Sequence, residues 1–164
     1  MTKKDIIIGI DPDVEKSGVA FLEVQSRKLE VSSLRFPDLL SYLRFCKAEA
    51  GGTAFAVVIE AGWLNRSNWH FSPRDSRAKC AEIGRAAGRN HQTGILIAEM
   101  CEAMGIDCHL QKPLVKVWKG RDGKITHAEL SAFTGIMGRT NQDGRDAALL
   151  AWTFAGLPIR LTNK

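Results

Sequence analysis

Apolar and polar positions divide the chain into short apolar runs and longer stretches with helical periodicity. Short runs that are rich in β-branched residues and bounded by turn residues are typical of strands. The pattern predicts strands over 5–11, 17–24, 28–35, 53–60 and 106–111. It predicts helices over 36–50, 76–104, 126–133 and 143–154, with irregular chain over 61–75 and a loop over 112–124. A break of the second helix near 88–94 is an alternative.

The links between these elements predict the topology. The first three strands follow one another with short turns, which favours an antiparallel meander, whereas strand–helix–strand units favour parallel pairing. We therefore expect an α/β fold with a five-stranded mixed sheet flanked by helices. A chain of 164 residues suits one domain over 1–164, with a core large enough to fold without disulfides.

Four acidic residues occupy unusual places in this pattern. Asp11 and Glu60 each end an apolar strand, and Asp143 and Asp146 lie three apart where the last helix starts, so they share a helix face. Each has an ordinary explanation: Asp11 could initiate a turn, Glu60 could mark the exit into solvent, and Asp143 could be an N-cap. Their combination favours a shared site, because carboxyl ends of strands line the ligand crevice in such sheets.

Clustered carboxylates repel one another and need a counter-charge, which a divalent metal can supply. Ligation by oxygen alone favours Mg²⁺, or Mn²⁺ in its place, over zinc. Two such ions about 4 Å apart can activate a water and stabilise the leaving oxygen when a phosphodiester is cleaved. The sequence therefore predicts two Mg²⁺ held by Asp11, Glu60, Asp143 and Asp146.

These acids also carry a resemblance to a known family. The segment Ile8-Gly9-Ile10-Asp11-Pro12, followed by Ser17-Gly18, resembles the first strand and turn of the RuvC-type Holliday junction resolvases. The strand that ends in Glu60 is similar to the second acidic position of that family. The run Asp143-Gly144-Arg145-Asp146-Ala147-Ala148 is similar to its last motif. The similarity in order and spacing covers nearly the whole chain.

The resemblance implies an RNase H-like fold, a homodimer, Mg²⁺ dependence and symmetric nicking of four-way DNA junctions. One departure is Asp13, where the family usually has glycine; Asp13 and Glu15 are extra ligands or ordinary turn residues. A two-fold dimer would use the 76–104 helix, whose apolar residues exceed one core-facing stripe, although a buried helix explains them nearly as well. Those residues are Ile83, Ile95, Leu96, Ile97 and Met100.

Basic residues concentrate in two segments that follow strands. Residues 61–90 hold six basic and two acidic residues, and residues 112–124 hold five basic and one acidic residue. We expect phosphate contacts there, although two solvated loops would show the same composition. The predicted DNA contacts are Arg66, Arg74, Lys112, Lys116, Lys119, Lys124 and Trp63. Trp63 matches an aromatic that the family places against bases at the junction centre; its alternative is packing in the core or against a dimer partner.

Overall composition narrows the function class without fixing it. The net charge of +5 permits nucleic-acid binding, and the four cysteines lack zinc-ligand spacing. No apolar run reaches the length of a membrane span, so a cytoplasmic protein is expected. Two alternatives stay open: a nuclease of this fold that acts on RNA–DNA hybrids or flaps, and a non-catalytic nucleic-acid-binding domain on the same fold.

Overall fold

The computed structural model describes residues 4–65 and 74–160. The strands are β1 (Ile6–Asp11), β2 (Ser17–Glu23), β3 (Lys28–Leu34), β4 (Phe55–Glu60) and β5 (Cys108–Gln111). The helices are α1 (Phe36–Ala50), α2 (Arg77–Ala103), α3 (His127–Thr134) and α4 (Gln142–Phe154). Short 3₁₀ turns lie at Gly62–Leu64 and Arg121–Gly123.

The strands form one mixed sheet in the order β3-β2-β1-β4-β5. β1, β2 and β3 pair antiparallel, and β1–β4 and β4–β5 pair parallel. The antiparallel meander and the parallel half of the sheet confirm the predicted α/β fold with five strands. β1 is the central strand, so the residue at its carboxyl end has neighbouring strands on both sides.

The predicted boundaries lie within two residues of the observed ones, and two differences from the prediction bear on the site. α2 runs unbroken through 88–94, because its helical hydrogen bonds continue and Gly94 instead makes room for a neighbouring aromatic ring. α4 starts one residue earlier than predicted, and its N-cap is Asn141, whose side chain accepts a hydrogen bond from Gly144 N at 3.0 Å. The interpretation of Asp143 as the N-cap is therefore wrong.

The period-two alternation of the strands sorts their side chains onto two faces. Ile8 and Ile10 of β1 pack in a cluster with side chains of α1 and α2, whereas Ile7 packs with buried residues of α4. β4 alternates in the same way, with Val57 and Ile59 in the first cluster and Val58 in the second. Asp11 and Glu60 are therefore in phase with the side chains that face α4.

Missing side chains let α4 lie unusually close to β1, β2 and β3. A Cβ atom added at Gly9 would lie 2.2 Å from the carbonyl oxygen of Ala147, and one at Gly18 would lie 2.2 Å from that of Asp143. A Cβ atom at Gly144 would lie 2.3 Å from a methyl carbon of Val31. Since interiors are close-packed, a side chain at these positions would push the helix away from the sheet.

Within the described parts of the chain, none of the helices combines the length with the apolar character that crossing a bilayer would require.

We predict that Gly9→Ala lowers the free energy of unfolding by about 1–3 kcal/mol, the usual cost of overpacking a core. The added methyl meets backbone of α4 rather than a flexible side chain. Gly88→Ala is the matched control, since no atom lies within 4 Å of its added Cβ on α2. It should stabilise the helix by roughly 0.5–1 kcal/mol. Urea denaturation of both variants measures the difference, and equal stability of the two would contradict the packing described above.

Candidate active site

Asp11 and Glu60 lie side by side at the carboxyl ends of β1 and β4. The two strands are parallel with Ile10 opposite Ile59, so the next residues in each strand are these two acids. Both side chains are partly buried. On the other side of Asp11 its partner in β2 is Gly18, whose missing side chain leaves space for another element. That space is where α4 begins.

The first turns of α4 bring two more carboxylates to this end of the sheet. Asp143 and Asp146 are partly buried, and the backbone of Asp143 lies against Gly18, the β2 partner of Asp11. Because Asn141 caps the helix, the side chain of Asp143 is not needed for the backbone N–H groups. Four acids from β1, β4 and α4 therefore converge at one edge of the sheet.

The pKa values show that these acids interact. Burial raises the pKa of Asp11 well above its ordinary value, and the neighbouring charges of Glu60, Asp146 and Asp143 raise it further. Burial also raises the pKa of Glu60, with the charge of Asp146 adding to the effect. The pKa of Asp143 is raised mainly by burial as well. Like charges in a desolvated site favour a bound cation.

Lys124 is the closest positive charge to this cluster. Its Nζ lies 3.1 Å from Oδ2 of Asp146, with the two side chains 33% and 17% exposed. The other oxygen, Oδ1, accepts a hydrogen bond of 2.8 Å from Nε2 of Gln142. Desolvation acts to lower the pKa of Lys124, but the charges of Asp146, Asp11 and Asp143 together raise it. Both oxygens of Asp146 are thus engaged by other side chains.

Arg145 fixes the chain next to Lys124. Its guanidinium donates to the carbonyl oxygens of Ile125 at 3.0 Å and Thr140 at 2.7 Å, and to Oε1 of Gln142 at 2.8 Å. The segment that carries Lys124 is therefore tied to the first turn of α4. Sequence reasoning missed this role, although the position of Arg145 between two acids was a usable signal.

The basic loop of 112–124 presents its lysines unequally. Lys116 and Lys124 line clefts beside the acids, and the charge of Lys116 acts to lower the pKa of Glu60. Lys112 and Lys119 are exposed and are not among the residues that line those clefts. The backbone N–H of Lys119 donates to the buried carboxylate of Glu129, which holds the loop to α3. The predicted lysines thus form an inner pair and an outer pair.

A cleft of about 740 Å³ leads from the acids toward α2. Asp11, Glu60, Lys116 and Lys124 line one end, and residues of α2 line the other. The α2 residues are Ile83, Ala86, Ala87, Asn90 and His91. A cleft with carboxylates at its floor and lysines at its wall can admit a phosphodiester backbone.

Trp63 lies in the wall of this cleft, within the turn Gly62–Leu64. It is partly buried, and its ring fills the space left by Gly94, where an added Cβ would lie 2.5 Å from Cζ3. Its centroid lies 6.3 Å from that of His91 in an edge-to-face arrangement. The ring therefore packs against α2 while bordering the cleft. Of the other two predicted contacts in this region, Arg74 is exposed and Arg66 lies outside the described residues.

An amide of α2 fixes the turn that follows β1. Asn90 donates from Nδ2 to Oδ2 of Asp13 at 3.0 Å, and its Oδ1 accepts from the backbone N–H of Val14 at 3.1 Å. Asp13 also accepts from the N–H of Glu15 at 2.8 Å. Asp13 is thus a turn residue, and its charge adds to the rise in the pKa of Asp143. Nothing in the sequence pattern indicated Asn90.

The donor set fits a hard divalent cation in its chemistry, since the acids offer oxygen ligands and repel one another. In the arrangement described, however, no three His, Cys, Asp or Glu side chains of residues 4–65 and 74–160 are placed to hold a metal ion together. The engagement of Asp146 by Lys124 and Gln142 accounts for part of this difference. For Asp146 to bind a metal ion, the metal would take the place of Lys124 or Gln142 at its carboxylate.

We predict that Asp11→Asn raises the melting temperature of the protein in EDTA. Folding raises the pKa of Asp11, so its ionised form lowers the free energy of unfolding at pH values above that pKa. The neutral side chain of Asn removes this loss at neutral pH. Removing this buried and repelled charge should therefore raise the free energy of unfolding. Asp38→Asn is the control, because this exposed acid lies in the first turn of α1, where a negative charge is favourable. If Asp11→Asn lowered the melting temperature and Asp38→Asn did not, the repulsion between Asp11 and the neighbouring acids would be contradicted.

Comparison with solved structures shows the same fold. The chain is similar to "T. thermophilus RuvC in complex with Holliday junction substrate", with a TM-score of 0.54, 18% identity and 92% of each chain covered. A second match, "Thermus thermophilus RuvC structure", has a TM-score of 0.42, 16% identity, and coverage of 92% of this chain and 96% of that one. No protein-family model and no curated protein matches the sequence. The fold of this chain is that of the RuvC and RNase H-like proteins.

Proposed function

We propose that this chain is a metal-dependent endodeoxyribonuclease that resolves four-way DNA junctions by paired nicks. The observation that carries the proposal is the convergence of Asp11, Glu60, Asp143 and Asp146 at the carboxyl ends of β1 and β4, where Asp11 and Glu60 line a cleft with Lys116 and Lys124. The proposal is also supported by the similarity in fold to a RuvC structure in complex with a Holliday junction substrate. The motif similarity around the four acids points to the same activity.

In this proposal the four acids hold two Mg²⁺, with Mn²⁺ able to substitute. Bound metal would supply an activated water and charge stabilisation of the leaving oxygen. β1 and β4 fix Asp11 and Glu60 from the sheet, and α4 supplies Asp143 and Asp146 from the other side. Rigid elements on both sides of the site keep the ligands in place before substrate arrives, which limits the reorganisation required during the reaction.

The lysines would bind the DNA backbone in two tiers. Lys116 and Lys124 lie close enough to the acids to act on the phosphate that is cleaved. The exposed Lys112, Lys119 and Arg74, together with Arg66, would contact phosphates farther along the arms. Such contacts add affinity without sequence information. Trp63, at the cleft wall, would stack on bases that the junction leaves unpaired.

Two equivalent nicks in one junction call for two sites related by a two-fold axis, so we propose a homodimer. The structure narrows the residues of α2 that could form its interface. Ile97 is fully buried in the core and Ile83 lines the cleft. Leu96 is 40% exposed, and Ile95 and Met100 are partly exposed. The exposed part of α2 around Leu96 is thus the candidate interface.

We predict that Asp146→Asn and Glu60→Gln each slow junction cleavage by at least 100-fold while junction affinity changes less than about threefold. The carboxylates position metal for chemistry, whereas lysines and arginines carry the affinity for phosphates. Cleavage of a labelled four-way junction with Mg²⁺, and its binding in EDTA by gel shift, measure the two effects. Glu49→Gln, on the exposed face of α1, is the matched control and should cleave normally.

Two results would count against this function. Wild-type turnover by either variant would remove the acids from the reaction. Faster cleavage of an RNA–DNA hybrid or a flap than of the four-way junction would reassign the substrate within the same fold.

The dimer is tested by sedimentation at micromolar concentration. We expect the wild-type protein to sediment as a dimer and Leu96→Glu to shift it toward monomer, because a buried unpaired charge opposes association. Met137→Glu is the control, since Met137 is 92% exposed in the segment between α3 and α4. A wild-type monomer, with and without junction DNA, would contradict paired nicking by a dimer.

A further inference from the structure

The ammonium group of Lys124 lies within the acidic cluster rather than at its rim. Its Nζ is 3.1 Å from Asp146, and the charges of Asp11 and Asp143 also act on it. Lys116, the other cleft lysine, acts on Glu60 but forms no ion pair with any acid of the cluster. The two lysines therefore act differently. Lys124 forms an ion pair with an acid of the cluster, whereas Lys116 contributes only its electrostatic field.

The bond from Lys124 takes an oxygen that a metal ion would need. Gln142 donates to the remaining oxygen, so each oxygen of Asp146 already accepts a hydrogen bond from a neighbouring side chain. Asp11, Glu60 and Asp146 line that floor together with Lys124. A lysine in this place supplies the positive charge that four neighbouring carboxylates require for the folded state.

Hydrogen bonds hold the backbone that carries Lys124, and its side chain is 33% exposed. A tight turn holds the loop: Trp118 N donates to Gly123 O at 3.0 Å, and Gly120 N donates to Lys124 O at 3.0 Å. Arg145 holds the next residue through the carbonyl oxygen of Ile125. A long side chain on a fixed turn can leave Asp146 by rotation about its own bonds, without unfolding of the loop.

We propose that Lys124 is a built-in counter-cation that neutralises Asp146 until a divalent metal ion binds and displaces it. This inference rests on the proposed function, since it assumes that the acids hold metal. Displacement frees the ammonium group at the cleft wall, where a phosphate oxygen of the substrate would be its next partner. Lys124 thereby couples the loading of the acids to the readiness of the cleft for DNA.

The competition has a measurable consequence in the absence of DNA. If Lys124 must leave Asp146, then removing its charge should strengthen metal binding, because linked binding events oppose one another reciprocally. The same change should lower the melting temperature of the metal-free protein, since the carboxylates lose their counter-charge. A lysine that only adds to the local field, such as Lys116, should show much weaker effects of both kinds.

The experiment is a titration of the DNA-free protein with Mn²⁺, followed by the electron paramagnetic resonance signal of unbound Mn²⁺. Lys124→Met should bind Mn²⁺ at least fivefold more tightly than wild type, and Lys116→Met should differ from wild type by less than twofold. Lys124→Gln keeps a donor without the charge and should also bind more tightly, which covers the case that Lys124→Met fails to fold. Lys124→Arg retains the charge and should bind no more tightly than wild type. Melting curves in EDTA and in Mn²⁺ give the second readout.

The outcomes separate this inference from the proposed function. Wild-type binding of Mn²⁺ with no tightening in the Lys124 variants would overturn the counter-cation role and leave the metal-dependent nuclease intact. Equal tightening in Lys116→Met and Lys124→Met would overturn it as well, because a general field effect would then suffice. Absence of Mn²⁺ binding in every variant would overturn both proposals.

Discussion

The contact between α4 and the sheet determines where the charged groups of this protein lie. The helix lies against backbone of the sheet at Gly9 and Gly18, and Gly144 lets it approach the side chain of Val31. That approach brings the first turns of α4 to the carboxyl ends of β1 and β4. The acids of all three elements become neighbours only because the helix is this close. A side chain at any of the three glycines would separate them.

Because the carboxylates lie close together, they repel one another, and neighbouring residues reduce this repulsion. Burial and mutual repulsion raise the pKa values of Asp11, Glu60 and Asp143. Lys124 bonds to Asp146, and Arg145 ties the Lys124 segment to α4 through Ile125. The metal-free fold therefore contains its own positive charge at the site. In this view the acids form a site with unfavourable internal charge that is suited to cation binding, and Lys124 is its resting partner.

Much of the architecture could be predicted because it depends on local patterns. Alternating and apolar runs indicated all five strands and their mixed pairing, and strand ends indicated Asp11 and Glu60 as candidates. Helical spacing placed Asp143 and Asp146 on one face. These features require only the neighbours of each residue in sequence.

The partners of those acids could not be predicted in the same way. Lys124 and Asp146 are separated by 22 positions, and Asn90 and Asp13 by 77. Such pairs depend on how whole elements pack, which periodicity does not encode. The sequence left open the alternative that Asp143 caps α4, because Asn141 and Asp143 are both good capping residues and only geometry separates them. The role of Gly94 likewise depends on a residue distant in sequence, since its missing side chain makes room for the ring of Trp63.

The central claim is that four carboxylates from β1, β4 and α4 form one cation site. Anomalous scattering from crystals soaked in Mn²⁺ tests it most directly, because it locates the metal without reference to activity. The account predicts Mn²⁺ peaks directly ligated by Asp11, Glu60, Asp143 and Asp146, with the ammonium group of Lys124 moved away from Asp146. A fully loaded crystal with no peak at these acids, and with Lys124 still bonded to Asp146, would contradict it.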